Sequence, residues 1–562
     1  MWPAADELRV GLGCMRLSTE AERDEERALE TIGAALAAGI TVFDTARAYA
    51  ASDAELGHNE RLLARALAGH PRAQVVTKGG MSRPEGRWMP DGRARAIAAD
   101  CEASLEALGG RAIDLYLLHA PDPRTSWSTS VRALLGLRER GLVPRVGLCN
   151  VNRRQLDEAL ALGPIDAVEV ALGPFDDAAL RGGVVQRCAE LGIAVIAHSV
   201  LGGPARAGRL AQHAVLGPIA ERHGVGAGEV ALAATLALDP CVVALAGARR
   251  PATATRAAAA ARLDFDEADR AELGRVLAAV SLPAPAVRRE GEVLLVMGLQ
   301  GAGKSDAAAD WIARGYRRLN RDAAGTSLGA LNRELDEALA AGERRLVLDN
   351  TYVTRAARRA VIEIAARHGV AVRGVWLETP IAAAQVNVVL RMLSHHGRLL
   401  EPEELARGRG PDALAPTAQF RTLRSLEVPS ADEGFSALEV VAFQRRPMPG
   451  AAARFIALDR LLDDDDRLRP GADALLAGEP PAFAFGWRPD RAELRLEALE
   501  GRIEVRHCPH PGGPPRCWCR PPLPGLLLAL AVERGLDPAQ SVVFGASPAH
   551  RAIAEAIGAA WA

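Results

Sequence analysis

Lysine is nearly absent from this chain: of 68 Lys+Arg in 562 residues, only Lys78 and Lys304 are lysines. An arginine guanidinium is planar and effectively never deprotonated, whereas a lysine ammonium is compact and shifts its pKa readily. The two lysines that survive such a drift toward arginine mark places where a guanidinium does not serve. Other absences narrow the field. The net charge is −2, so no global basic field draws in nucleic acid or an anionic membrane. The longest apolar runs, VLLVM and LLLALAV, are too short to span a bilayer, so no membrane partner is expected. The N-terminal MWPAADELRV has no basic segment followed by an apolar stretch, which argues against a secretory signal and for a cytoplasmic location. Aromatic residues make up 4%, with only four tyrosines.

With 49% hydrophobic and 25% charged residues, the composition is that of a globular α/β protein long enough for three domains. From the N-terminus to residue 280, eight short apolar runs alternate with Ala/Leu-rich amphipathic stretches: LRVGLG, TVFDT, QVVTK, IDLYLLH, RVGLC, AVEVA, AVIAHS and VVALAG. Their number and spacing predict a (β/α)8 TIM barrel over 1–280. The Pro-containing segment 281–290 reads as a linker, 291–446 as a second α/β domain, and 447–562 as a small third one.

In such barrels chemistry gathers where strands end. Asp44 and Tyr49 follow the second run, Lys78 ends the third and His119 follows the fourth. A tyrosine beside an ammonium can give a proton to a carbonyl oxygen, a carboxylate can hold the lysine charged, and a histidine can orient the carbonyl. FDTARAY, VVTKGG, DLYLLHAPDP, GLCN and LAGARRP, across residues 7–280, resemble the aldo-keto reductase superfamily. The resemblance implies reduction of an aldehyde or ketone by NADPH, with Tyr49 as proton donor, Lys78 and Asp44 tuning it, and His119 positioning the carbonyl. It also assigns the cofactor to Cys149, Asn150, Glu169, His198, Ser199, Gly247, Arg249, Arg250 and Arg256. Cys149 stands where a serine is common, Glu169 near a usual glutamine, and His198 where a tyrosine often stacks. A carboxylate at 169 accepts from a nicotinamide amide but cannot donate to its carbonyl.

GLQGAGKS follows the apolar EVLLVM and precedes the helical SDAAADWIA. In that context Gly298, Gly301 and Gly303 let the backbone cradle phosphates, Lys304 reaches the β/γ-phosphates of ATP, and Ser305 coordinates Mg²⁺. LNRDAAG, RLVLDNT, the Arg391-containing AQVNVVLRMLSHHGR and DEGFSALEVVAF then follow, and 291–446 resembles the kinase domain of polynucleotide kinase–phosphatases. The resemblance implies phosphoryl transfer to the 5′-hydroxyl end of DNA or RNA. Asp322 would be the general base, Asp349 would stand near substrate and metal, and Arg391 would close over the phosphates. Residues 291–446 hold 21 Lys+Arg against 19 Asp+Glu, too balanced for a long basic groove, so a small-molecule hydroxyl stays open as acceptor. A sensor of cofactor and ATP with weak turnover is the reading from another class.

Cys508, His510, Cys517 and Cys519 form a CxH…CxC set, the ligands of a closed structural zinc site. Their segment resembles the zinc-loop phosphatases of the haloacid dehalogenase (HAD) superfamily. FIALDRLL offers Asp459, but Leu461, Leu523 and Ala546 stand where that family's second aspartate, lysine and late metal-binding aspartate belong. The expectation is a HAD-like α/β domain with zinc and without phosphatase chemistry. Cys14, Cys101, Cys149, Cys188 and Cys241 are scattered and read as small core residues.

Overall fold

Each of the eight apolar runs forms a strand: β1 Val10–Gly13, β2 Val42–Asp44, β3 Gln74–Gly79, β4 Leu115–Leu118, β5 Val146–Cys149, β6 Ala167–Ala171, β7 Ala194–His198 and β8 Val242–Ala246. They close in chain order, all parallel, into a barrel. The computed structural model describes the chain except for residues 1, 5–6, 21, 279–289, 321–326, 409, 490 and 492–493.

Side chains alternate along each strand, as the two-residue period requires. On β4, Leu115 and Leu117 join Val42, Val76, Ile196 and Trp2 in an inner cluster, while Tyr116 and Leu118 pack into the layer shared with the helices. Gly147 on β5 is demanded by this packing, because a Cβ there would lie 2.4 Å from the Ala167 carbonyl oxygen. Parallel closure brings the C-terminal ends of all strands to one rim. Asp44, Lys78, His119, Cys149, Glu169, His198 and Gly247, each ending, lying near the end of, or following a different strand, therefore meet there. The five scattered cysteines are buried.

The chain divides into two compact units, Met1–Pro283 and Ala284–Ala562. The second contains two parallel sheets. Strands β9 Glu292–Met297, β10 Arg317–Leu319, β11 Arg345–Asp349, β12 Ala371–Glu378 and β13 Ala437–Ala442 lie in the order β10-β11-β9-β12-β13. The direction of winding reverses at β9, which opens a crevice at its carboxyl end, and the glycine-rich loop leads from there into α1 (Lys304–Ala313). Strands β14 Arg454–Ala457, β15 Ala482–Trp487, β16 Glu504–Cys508, β17 Val542–Phe544 and β18 Ala560–Trp561 follow, in the order β16-β15-β14-β17-β18.

The boundary read at 447 falls between these sheets, but the core crosses it. Val388, Val389 and Met392 of α2 (Ile381–His396) pack in one cluster with Phe455, Leu527 and Ile553. Most of the linker read at 281–290 lies outside the described residues. Among the described residues, no helix is long and apolar enough to cross a membrane.

Candidate active sites

Lys78 is the hub of the barrel rim. Its ammonium, fully buried, donates to the Asp44 carboxylate, to the Thr45 carbonyl at 3.0 Å and to the Tyr49 hydroxyl at 3.2 Å. Glu169 Oε2 stands 3.1 Å from the same nitrogen, and Tyr49 donates to Asp44 Oδ2 at 3.4 Å. Burial opposes the ammonium, yet Asp44 and Glu169 outweigh it and hold Lys78 charged, well above its ordinary range. Burial and the neighbouring Glu169 raise Asp44 above the usual carboxylate range against the pull of Lys78, because one ammonium serves two buried carboxylates.

At Tyr49 the neighbouring ammonium of Lys78 favours loss of the phenolic proton. Burial, aided by Asp44, outweighs Lys78 and keeps the phenol well above its usual value, so the hydroxyl retains its proton. His119 stands edge-on to Tyr49 with ring centroids 5.7 Å apart. Burial, with the charges of Lys78, His198 and Arg83, holds its imidazole neutral, well below 6.5. Asp44, Tyr49, Lys78 and His119 are thus brought together.

In the second unit, Gly298, Gly301 and Gly303 adopt φ of 157°, 84° and 94°. A Cβ on Gly301 would sit 2.2 Å from the Ala384 carbonyl oxygen of α2, so only glycine lets the loop pass. Lys304 rests on the Gly298 and Leu299 carbonyls at 3.1 and 2.8 Å. Ser305 donates to Asp349 Oδ2 at 3.2 Å, the Ser–Asp pairing that holds Mg²⁺ in phosphate-loop enzymes. Arg318 donates to the same carboxylate at 2.6 Å, and Asn320 donates to the Asp349 carbonyl at 2.7 Å and to its carboxylate. Asn387 of α2 ties the loop by donating to the Gly301 carbonyl at 2.8 Å. A cavity of about 1530 Å³ opens here, lined by Lys304, Ser305, Asp349 and Arg391 among others. Arg391 lies 3.4 Å from Asp412. Asp322 lies outside the described residues.

The ligand atoms of Cys508, His510, Cys517 and Cys519 all lie within 4.8 Å of one another. Cys508 and Cys517 sulfurs are 3.7 Å apart, and His510 Nδ1 is 3.5 Å from Cys508 Sγ and 3.2 Å from Cys519 Sγ. A tetrahedron with zinc–sulfur bonds of about 2.3 Å has edges of about 3.7 Å, so the donor set fits zinc. His510 Nε2 is 3.0 Å from Glu401 Oε2, the outer carboxylate that fixes a ligating imidazole. Nearby, Asp459 accepts from Arg488 at 3.1 Å, while Leu461 and Leu523 are buried in apolar clusters.

Residues 9–278 match the family model described as the aldo/keto reductase family, and residues 293–401 match one described as an AAA domain. The barrel is thus the part of the chain that is similar to the aldo/keto reductase family. A probable aldo-keto reductase 1 from Glycine max is 34% identical over 205 residues, covering 34% of this chain and 56% of that protein. The chain thus spans about half the length of this curated relative. Among solved structures, a thermostable aldo-keto reductase bound to the inhibitor epalrestat is 26% identical at a TM-score of 0.41, covering 48% of this chain and 94% of that one. An aldo-keto reductase from Klebsiella pneumoniae in complex with NADPH is 23% identical at 0.41, covering 48% and 91%.

On the barrel rim, Asn150 and Ser199 hold left-handed backbones with φ of 59° and 56°. His198 joins them, its Nε2 3.1 Å from Asn150 Oδ1 and its Nδ1 3.0 Å from Ser199 Oγ. Asn150 also donates to the His119 carbonyl at 3.1 Å and lies 3.1 Å from Cys149 Sγ, so these residues form one wall beside the Lys78 hub. Gly247 faces open space, and Arg250 precedes the helix Pro251–Ala260. Arg249 pairs with Glu20, and Arg256 lies 3.6 Å from Glu229. Glu169, expected only at the cofactor, also contacts Lys78. Sequence reasoning missed Arg318, Asn387 and Glu401. Each lies far along the chain from the groups it touches, and no local pattern announces it.

Proposed function

We propose that the chain is a bifunctional enzyme, an NADPH-dependent carbonyl reductase joined to an ATP-dependent phosphotransferase that acts on the 5′-hydroxyl end of DNA or RNA. The observation carrying the reductase half is the buried Lys78 ammonium beside the Tyr49 hydroxyl. Bound NADPH would supply hydride to the carbonyl carbon. Tyr49 gives its proton to the carbonyl oxygen, and Lys78, 3.2 Å away, stabilises the phenolate left behind. Asp44 and Glu169 keep Lys78 charged, and neutral His119 orients the carbonyl as a hydrogen-bond donor. Asn150, Glu169, His198 and Ser199 would border the nicotinamide, with Arg249, Arg250 and Arg256 near the adenosine phosphate.

In the second unit, Lys304 and the loop amides would hold the phosphates of ATP, Ser305 and Asp349 would hold Mg²⁺, and Arg391 would face the transferred group. Asp322, by its place in the NRD motif, would take the acceptor's proton. The succession of NRD, DNT, Arg391 and the EGF-containing tail favours a 5′-hydroxyl nucleic-acid end, whereas the balanced charge of 291–446 favours a small alcohol as the second reading. Cys508, His510, Cys517 and Cys519 would hold structural zinc on a HAD-like sheet without phosphatase chemistry, since Leu461 and Leu523 carry no charge for Mg²⁺ or phosphate. End labelling of 5′-OH DNA and RNA oligonucleotides with γ-labelled ATP, beside a panel of small alcohols, tests the acceptor. Labelling of an alcohol and of neither oligonucleotide would replace the first reading with the second. NADPH oxidation across a panel of aldehydes tests the reductase.

A further inference from the structure

A short hairpin stands over the reductase rim. Its strands pair Met81 with Pro90 and Ser82 with Met89, and a turn at Pro84–Gly86 joins them. Asp91 closes the base by donating its N–H to the Gly80 carbonyl at 2.9 Å. Trp88 on this hairpin is edge-on to Tyr49 at 6.2 Å and to His119 at 5.7 Å between ring centroids. The indole therefore borders the space in front of the proton donor.

Arg83 lies on that indole, its guanidinium carbon 3.8 Å from the ring centroid. The residue is only 5% exposed, and its Nε and Nη1 are sealed from solvent with no hydrogen-bond partner among the described residues. Asp53, the acid beside it, accepts from the Arg83 backbone N–H at 2.5 Å. Buried polar groups almost always find partners, and leaving a charged donor without one is costly. Stacking on an aromatic face offsets part of that cost and leaves the in-plane donors free. Each forked edge of the group, Nε with Nη2 and Nη1 with Nη2, contains one of the unsatisfied nitrogens, and such edges match a carboxylate or a phosphate. The location is equally specific: one aromatic ring separates the guanidinium from the residues that would polarise the carbonyl.

We infer that Arg83 binds an anionic group of the reductase's substrate, a carbonyl compound bearing a carboxylate or a phosphate. The assignment rests on the reductase reading above and adds the substrate class to it. Trp88 holds the guanidinium plane, the anion enters at Nη2 and displaces the packing that seals Nε and Nη1, and the other end of the molecule presents its carbonyl to Tyr49 and His119. A neutral aldehyde leaves those donors unsatisfied and is discriminated against for that reason.

The test uses the full chain with NADPH and two matched pairs, 4-oxobutanoate with its methyl ester and glyceraldehyde 3-phosphate with glyceraldehyde. The wild type should favour at least one charged member by roughly 10- to 100-fold in kcat/KM, the range for hydrogen bonds to a charged group. Arg83→Met should erase that ratio, mainly through KM, and Arg83→Lys should restore part of it, since a point charge replaces the fork. Each ratio is taken within one protein, so a variant that is partly destabilised still reports. The pair that responds tells carboxylate from phosphate. Equal kcat/KM within both pairs in the wild type, or a preference that survives Arg83→Met, would overturn the assignment. If none of the four supports NADPH oxidation, the reductase reading fails. Calorimetry with succinate and inorganic phosphate then decides the anion site: binding lost in Arg83→Met upholds it, and no binding to the wild type removes it.

Discussion

At Lys78 a compact ammonium serves Asp44, the Thr45 carbonyl, Tyr49 and Glu169, all within 3.2 Å, in a space closed to solvent. A planar guanidinium fills that space differently, which accounts for a lysine here in a chain otherwise drifted to arginine. Lys78→Arg should therefore abolish reductase turnover although the charge is kept. Tyr49→Phe keeps the ring and removes the donor, so kcat should fall about 10²-fold or more while NADPH still quenches protein fluorescence. Unchanged turnover in either variant would break the assigned chemistry. His119 adds a pH dependence of definite sign. In the fold it is held neutral well below 6.5, and in the unfolded chain it titrates at its ordinary value. Below 6.5 the unfolded chain therefore binds a proton that the fold does not, and this residue's contribution to stability falls as pH drops. The stability of the wild type relative to His119→Asn should decline between about pH 7 and pH 5, the range in which an ordinary histidine gains its proton. Melting curves of the two proteins that keep a constant separation across that range would contradict the burial argument.

Among the elements, α2 has two partners at once. Its Asn387 holds the glycine-rich loop, and its Val388, Val389 and Met392 lie in the core of the C-terminal sheet. The stretch that follows α2 is fastened to the Cys/His cluster. Glu401 meets His510, Leu399 packs against the cysteines, and Trp518 donates to the Leu414 carbonyl at 2.8 Å. Leu405, Asp412 and Leu414 of the same stretch line the cavity at the glycine-rich loop. Closed thiolate sites couple metal binding to folding, so chelation should lower the stability of 450–562 and weaken binding of a non-hydrolysable ATP analogue together. Metal analysis should find one zinc per chain. Chelation that removes the metal and leaves analogue affinity intact would show that the cluster does not support the cavity.

For the whole molecule, the net charge of −2 and the even balance of charge in 291–446 set the expected response to salt. Each phosphate neutralised by a cation releases counterions and steepens the salt dependence. A 5′-hydroxyl end held in a pocket around one nucleotide makes few such contacts, so the slope of log affinity against log salt should stay shallower than about −2. Binding of a labelled 5′-OH oligonucleotide across a salt series measures it. A slope several-fold steeper would require a basic groove and contradict the terminal-pocket reading.

The amino-acid sequence was enough for the eight barrel strands, the residues at their ends, the glycine-rich loop and the CxH…CxC set. Each of these is a local pattern, set by the two-residue strand period, by where an apolar run stops, or by ligands a few residues apart. Chain folding alone decided that Glu169 shares the ammonium with Asp44, and that burial rather than Lys78 governs the Tyr49 proton. It also placed Arg318 on Asp349, Glu401 on His510 and Arg83 on Trp88 with its donors unanswered. Those pairings, and the core that crosses the expected boundary at 447, depend on which distant strands and helices become neighbours and on how much water they exclude. Desolvation and long-range contact have no signature in a run of adjacent residues, and so only the tertiary structure settles them.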